Sequence, residues 1–374
     1  MNVAILGANG FIGSRAVEML HLRQQATVRP VVRTVASLAR LSRFDLDSRI
    51  ADACDEPALC QAFAGCDAVI HAVAGNPRVI LETVAPTYRA AQAAGVRRLI
   101  YLSSASVHGQ AAPPGTDEAS PLSDQQPLPY NNAKVRAERR LQELRAQGSV
   151  ELVILRPGIV FGPRSSWITG FATDLLAGTA YMAGDGRGIC NSIYVDNLIH
   201  ALVLAMGALD ADRQAFLLGD SEVVTWADFY RPVAEALGFS LQDVTQVAYA
   251  PSIAGPGERL RALLAAGPSR ALRSTLPRRL RRALRAGLHV LLESPRQPQS
   301  AWSLPEPEQP PRPVATLEMA LLHRCRYKLP YTKAARLLGY DPVVSFAEGC
   351  RRTIAWLAFA GYPVVTSDDS GEPR

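Results

Sequence analysis

Only six cysteines, Cys54, Cys60, Cys66, Cys190, Cys325 and Cys350, are scattered through 374 residues. With no C-x-x-C pair and no dense spacing among them, a cysteine metal site and a disulfide framework are both excluded, and a reduced, cytoplasmic setting is expected. No apolar run reaches the ~18 residues of a membrane span. Nor is a cleavable leader expected, because the first apolar strand starts at Val3 and processing would destroy the glycine turn behind it. Aromatic residues make up 7% of the chain, and none interleaves with the arginine-dense stretch from Arg270 to Arg285. Without such stacking partners, single-stranded nucleic acid is not an expected ligand. The remaining balance, 48% hydrophobic and 20% charged, is that of a globular chain able to bury a full core.

What is present begins at the first turn. Val3-Ala4-Ile5-Leu6 is a short β-prone run that ends at Gly7-Ala8-Asn9-Gly10-Phe11-Ile12-Gly13, and Val17, Met19 and Leu20 follow at helical spacing. A strand, a glycine turn and a helix N-terminus in that order bring backbone N–H groups to a pyrophosphate, and a β-carbon at the glycines would block the approach. The spacing of three and three differs from the commonest dinucleotide pattern, so the N-terminal strand directly before it carries much of the argument. The next strand candidate, Thr27 to Val32, ends at Arg33. Dinucleotide folds that take the unphosphorylated cofactor usually have a carboxylate there, whereas an arginine pairs with a 2′-phosphate. NADP is therefore preferred over NAD, with a solvated strand-end charge as the plainer reading of Arg33. Asp52 closes a third short strand, either facing the adenine amino group or capping a helix.

Further along, Tyr130 and Lys134 stand one helical turn apart, after a strand that ends in Ser103-Ser104. A phenol is a poor base at neutral pH, and a cation four residues away on the same helix face stabilises its phenolate. That makes Tyr130 a candidate proton shuttle.

Taken in order, these segments resemble the extended short-chain dehydrogenases/reductases, the NAD(P)-dependent epimerase/dehydratase family. The series continues through Val69-Ile70-His71-Ala72-Val73-Ala74, Ser104-Ala105-Ser106-Val107-His108-Gly109, Arg156-Pro157-Gly158-Ile159, Tyr194-Val195-Asp196-Asn197 and Leu337-Leu338-Gly339-Tyr340-Asp341-Pro342. The resemblance implies hydride transfer at a secondary alcohol or ketone. Ser104 would hold the substrate oxygen, with Ser103 and Ser106 as alternatives. Tyr130 would move the proton, while Lys134 binds the nicotinamide ribose and lowers the tyrosine pKa. Cofactor contacts would come from Gly7, Asn9, Gly10, Phe11, Ile12 and Gly13 in the turn, and from Arg33, Asp52 and Ala53 at the adenosine end. Ala72, Val73, Ala74 and Pro157 would complete them. His108 and Arg164 are candidate substrate ligands, each with a structural or loop role as the plainer alternative.

Where the chain departs from the family, the chemistry narrows. Ala105 and Ser106 occupy the places of the Asp-Glu pair that dehydratases need, so dehydration by that route is not expected. Thr83 replaces a helix asparagine and Pro86 a nearby glycine. Asn191-Ser192 stand where many nucleotide-sugar members carry Arg-Asp, which removes a diphosphate ligand. A sugar or sugar nucleotide remains the first substrate class, a lipophilic alcohol of the 3β-hydroxysteroid kind the second. A non-catalytic NADP-binding regulator is the alternative of another class, opposed by the complete Ser/Tyr/Lys set.

The expected architecture is α/β: a Rossmann-type doubly wound parallel sheet in residues 1–165 and a smaller C-terminal substrate-binding region in 166–365. The strand candidates are Val3–Leu6, Val28–Val32, Arg49–Ala53, Ala68–Ala72, Arg98–Leu102 and Glu151–Leu155. Residues 251–316 are an insertion. Its arginines and Leu280, Leu284, Leu288 and Leu291 fall on opposite faces of a helix over 276–292. That helix could meet an anionic membrane surface, close over the cleft, or pack with its arginines solvated. Seven prolines between Pro295 and Pro313 make the rest a connector, and 366–374 a disordered tail. A homodimer is the family expectation, and no metal is expected.

Overall fold

Short β-prone runs and amphipathic stretches alternate, and a chain of that kind buries its strands between two helical layers. In a computed structural model, which describes residues 1–242, 244–248 and 313–365, seven strands form the central sheet. They are β1 (Asn2–Leu6), β2 (Thr27–Val32), β3 (Arg49–Ile50), β4 (Ala68–His71), β5 (Arg98–Leu102), β6 (Glu151–Pro157) and β11 (Gln214–Leu218). Their order is β11-β6-β5-β4-β1-β2-β3, with every pairing parallel. The chain winds outward from β1 to β3 and then returns to lay β4 on the other side of β1. That reversal opens a crevice at the carboxyl ends of β1 and β4, where doubly wound sheets bind ligands.

Alternate side chains of one strand feed different cores. Val3, Ile5, Ile100 and Leu102 point to the layer of α1 (Phe11–Leu22) and α6 (Val195–Gly207). Ala4, Leu6, Leu99 and Tyr101 face α2 (Glu56–Phe63), α3 (Pro77–Ala93) and α4 (Pro129–Gln147). Each large side chain buried this way contributes roughly 1.5–3 kcal/mol. A third core, rich in aromatics such as Phe161, Trp226, Phe229 and Tyr230, holds α5 (Ser166–Leu176), α7 (Trp226–Ala236) and α10 (Phe346–Phe359). Three two-stranded ladders frame it. They pair β7 (Ile159–Phe161) with β10 (Ser192–Tyr194), β8 (Tyr181–Ala183) with β13 (Thr245–Val247), and β9 (Ile189–Cys190) with β12 (Val224–Thr225). The short helices α8 (Leu317–Leu322) and α9 (Thr332–Leu338) complete the described chain.

Two expectations needed adjustment. The third strand stops at Ile50 instead of Ala53. A seventh strand, Gln214–Leu218, joins the sheet beside β6, because α6 carries the chain back under the sheet before it turns. Thr225 caps α7, accepting the Asp228 N–H at 3.1 Å while Asp228 accepts the Thr225 N–H at 3.1 Å. The basic stretch 276–292 and the tail 366–374 lie outside the described residues.

Candidate active site

Three turns build the crevice. At the end of β1, Gly7 adopts φ +86°, and a β-carbon there would lie 2.9 Å from the Ala72 carbonyl carbon of the neighbouring strand end. At Gly13 it would strike the Gly7 carbonyl itself. Only glycine permits that closure, which leaves Gly10 at the open N-terminus of α1 with no acid in the first turn. At the end of β2, Arg33 is exposed and lines the crevice together with Ser37. Arg40, which the sequence did not single out, donates to the Asn9 carbonyl at 3.2 Å and ties this cationic corner to the glycine turn. Asp52, Ala53 and Cys54 form the next wall, with Asp52 accepting the Cys54 N–H at 2.9 Å. The cap of α2 is Asp55, not Asp52.

The whole cleft encloses about 990 Å³ and gathers Gly7, Asn9, Gly10, Phe11, Ile12, Arg33, Asp52, Ala53, Ala72, Val73, Ala74, Ser104, Tyr130 and Pro157 on one surface. A cradle that a single β-carbon would fill, under a helix N-terminus, fits the pyrophosphate of a nicotinamide dinucleotide.

Tyr130 opens α4 behind Pro129 and shares the cleft surface with Ser104, whose hydroxyl is near enough to favour the phenolate. Ser106 donates to the Ser104 oxygen at 2.9 Å, so the two hydroxyls form one polar edge. Ser103 also borders the cleft, but its hydroxyl donates to the buried Glu138 carboxylate. Lys134 is 2% exposed and donates to the Leu102 carbonyl at 2.7 Å and to the Tyr101 hydroxyl at 3.3 Å. Burial pushes its ammonium down to about 8, against the pull of Glu138. Tyr130 is correspondingly not depressed. Burial raises its phenol, the Ser104 hydroxyl opposes that, and the charge of Glu318 adds to it. The expectation that Lys134 lowers this pKa is corrected here: the ammonium, aimed at the strand-end carbonyl, lies 6.0 Å from the Tyr130 ring centre.

Beneath the site runs a buried ionic scaffold. The Arg156 guanidinium, 3% exposed, donates to Glu138 Oε2 at 2.6 Å through Nη2 and to Oε1 at 3.1 Å through Nε. Its Nη1 lies 3.1 Å from His108 Nε2. A guanidinium can only donate, so that imidazole nitrogen accepts and is unprotonated. Burial and the neighbouring Arg156 hold His108 down at about 4. His108 therefore braces Arg156 and does not line the cleft, contrary to the expectation that it faces substrate. Arg164 is likewise no part of the lining: it is exposed, at φ +73°, in a basic neighbourhood with Arg40, Arg43 and Arg15. The residues that follow it, Ser165 and Ser166, do line the crevice.

Past Ser104 the cleft continues into a smaller pocket whose walls include Ala112, Pro157, Ile159, Ile189, Trp226 and Leu329. Its polar side chains include Ser104, Ser106, Gln110 and Asn191, and among the described residues no lysine or arginine lines it. Asn191 is already satisfied, accepting the Leu329 N–H at 2.8 Å and donating to the Tyr327 carbonyl at 3.1 Å.

Three histidines link the fold to pH. Burial pushes His71 down to about 3 and His323 to about 4, and His108 is held at about 4 as well. The unfolded chain protonates all three below about 6.5 while the fold does not, so stability falls on acidification by about 1.4 kcal/mol per pH unit for each. Asp220, raised to about 6 by burial, takes up a proton in the fold and offsets one of them. Thermal midpoints measured from pH 7 down to 5 are expected to drop, and His71→Asn to flatten that drop. A flat profile in the parent protein would contradict this reading.

The parallel sheet and its glycine-cradled crevice define a dinucleotide-binding α/β enzyme. Residues 3–219, more than half of the chain, match the NAD dependent epimerase/dehydratase family, and the protein belongs to that family. A 3-diazoavenalumate denitrifying reductase from a Streptomyces species is 29% identical over 274 residues, covering 68% of this chain and 88% of that one. A 3β-hydroxysteroid dehydrogenase/decarboxylase from Arabidopsis thaliana is 25% identical over 392 residues, 94% of this chain and 78% of that one. Among solved structures, UDP-glucose 4-epimerase from Thermotoga maritima, with UDP-glucose, matches with a TM-score of 0.67 and 19% identity, over 96% of this chain and 99% of that one. Among the described residues no helix is long and apolar enough to cross a membrane.

Proposed function

We propose that the protein is an NADP-dependent oxidoreductase that interconverts a secondary alcohol and a ketone on an apolar small molecule. The cofactor supplies or takes the hydride. Ser104 hydrogen-bonds the reacting oxygen, Tyr130 gives or takes its proton, and Lys134 holds the nicotinamide ribose. The observation that supports the substrate class is the largely apolar pocket that continues from Ser104, in which no described residue is a lysine or arginine. A nucleotide diphosphate there would find no bidentate arginine, and Asn191 and Ser192 occupy the places where one would stand. Of the two substrate classes left open by the sequence, the lipophilic one is therefore favoured over the sugar nucleotide, in keeping with the hydroxysteroid dehydrogenase among the relatives.

Purified protein with NADPH is expected to reduce apolar cyclic ketones and to leave sugar-nucleotide ketones untouched. Turnover confined to sugar nucleotides would reverse the assignment.

The cofactor preference rests on Arg33, which lines the cleft with Ser37 where β2 ends without a carboxylate, and on Arg40 at the Asn9 carbonyl of the glycine turn. A charge-assisted hydrogen bond is worth about 1.5–3 kcal/mol. Arg33→Asp is accordingly expected to weaken NADPH binding by roughly tenfold to a hundredfold while leaving NADH nearly unchanged, as read by fluorescence titration. Equal losses for both cofactors would argue against a 2′-phosphate contact.

A further inference from the structure

A serine hydroxyl has one proton to give and two lone pairs to fill. At Ser104 both lone pairs are taken by a single neighbour. Its Oγ accepts the Ser106 N–H at 3.2 Å and the Ser106 hydroxyl at 2.9 Å. The short turn Ala105–His108 that places Ser106 there is held from both sides. Ala105 and Val107 are buried beneath it. The Val107 N–H donates to the Ser104 carbonyl at 3.2 Å, and the N–H of Gly109, at φ +91°, donates to the Ser106 carbonyl at 2.9 Å. The Gln126 side-chain amide donates to the Val107 carbonyl at 2.8 Å. Ser106 lines both the cleft and the pocket beyond it, in each case together with Ser104. Among the described residues its hydroxyl proton has no acceptor other than Ser104.

Two donors on one oxygen leave that oxygen only its own proton to offer. We propose that Ser106 is a positioning residue that makes Ser104 a one-way hydrogen-bond donor to the reacting oxygen. The inference rests on the reading above, in which Ser104 and Tyr130 hold that oxygen. In reduction, a ketone oxygen accepts from both hydroxyls, and the negative charge that grows on it as the hydride arrives meets two protons already aimed at it. In oxidation, the alcohol has to give up its proton. Ser104 has no lone pair free to accept it, so the proton is left to Tyr130. Ser106 acts on the reacting oxygen only through Ser104, and is not a second holder of that oxygen.

The test is a double-mutant cycle on Ser104 and Ser106, read in two ways. The first readout needs no substrate. It is the ionisation of Tyr130 in the full chain, followed by carbon-13 NMR of ζ-labelled tyrosine and assigned by the signal that Tyr130→Phe removes. The Ser104 hydroxyl favours the phenolate. Ser106→Ala and Ser104→Ala are therefore each expected to move the Tyr130 midpoint to higher pH, and the double variant to move it no further than Ser104→Ala alone. Ser106→Thr, which keeps the hydroxyl, is expected to restore the parent midpoint. Lys134 from α4, Tyr101 from β5 and Glu318 from α8 also stand near the phenol, and all three are left in place. The second readout is kcat for reduction of an apolar cyclic ketone. Ser106→Ala is expected to lower it about twofold to tenfold, the worth of one neutral hydrogen bond, with NADPH binding unchanged and no further loss when it is added to Ser104→Ala. Losses that add would put Ser106 directly on the substrate and overturn the proposal, as would a Tyr130 midpoint that Ser106→Ala leaves where it was. A parent protein that reduces no ketone would sink the oxidoreductase reading, while the Tyr130 titration would still decide the role of Ser106.

Discussion

Replacing Tyr130 with phenylalanine is expected to lower kcat by roughly a thousandfold, within the 10²–10⁴ that a positioned acid–base group supplies, while NADPH binds as before. The hydroxyl that is lost lies beside Ser104 at the cleft surface, so no buried partner is orphaned and the helix keeps its packing. The direction of the reaction matters for the pH dependence. Burial raises the phenol, which stays protonated at neutral pH and is ready to donate in ketone reduction. Alcohol oxidation needs the phenolate, so its rate is expected to climb from neutral to alkaline pH while reduction stays flat until the phenol ionises. Initial rates in both directions across pH 6 to 10 check this, and an oxidation rate independent of pH would remove Tyr130 as the base.

Glu138→Ala is expected to destabilise the fold by about 3–5 kcal/mol, because it leaves the buried Arg156 guanidinium without its counter-charge. The remaining Arg156 partners would be the His108 nitrogen at 3.1 Å and the Glu118 carbonyl at 3.3 Å, neither of them charged. The Ser103 hydroxyl would lose its acceptor as well. Since Ser103 adjoins Ser104 and Lys134 lies one turn before Glu138 on α4, the damage should also appear in kcat. Replacing both Glu138 and Arg156 by leucine is expected to cost less than the single change, because no unpaired buried charge is left behind. Denaturant midpoints of the two variants decide it, and a harmless Glu138→Ala would mean that the pair contributes little.

Much of this was legible in the chain because its signals are local. A glycine turn behind a strand fixes where the pyrophosphate cradle forms, and β-prone runs at regular intervals fix the sheet. The Tyr130–Lys134 spacing fixes a shared helix face. The sequence was less informative where the answer depends on what a side chain meets across the fold. His108 follows the serine strand and looked able to face substrate, yet Arg156, from another strand, captures it. Arg164 follows a strand end as a binding arginine would, but it is exposed, at φ +73°, and the cleft is lined by the Ser165 and Ser166 that follow it. Arg40 and Glu318 carried no motif at all. One reaches the cofactor turn from a loop, and the other arrives from beyond the insertion on a six-residue helix too short to announce itself by periodicity. The seventh strand, Gln214–Leu218, was hidden because a brief apolar run after a helix looks the same in a substrate region as at a sheet edge.

The central claim is that this cleft passes a hydride between NADPH and a carbonyl held by Ser104 and Tyr130. NADPH deuterated at the transferable nicotinamide position, incubated with an apolar cyclic ketone, tests it in one experiment read by NMR of the product. Deuterium on the new carbinol carbon in the parent protein, and none above background with Tyr130→Phe, is the expected result. Saturable NADPH binding with no deuterium delivered to any ketone, or delivery undiminished by Tyr130→Phe, would contradict it.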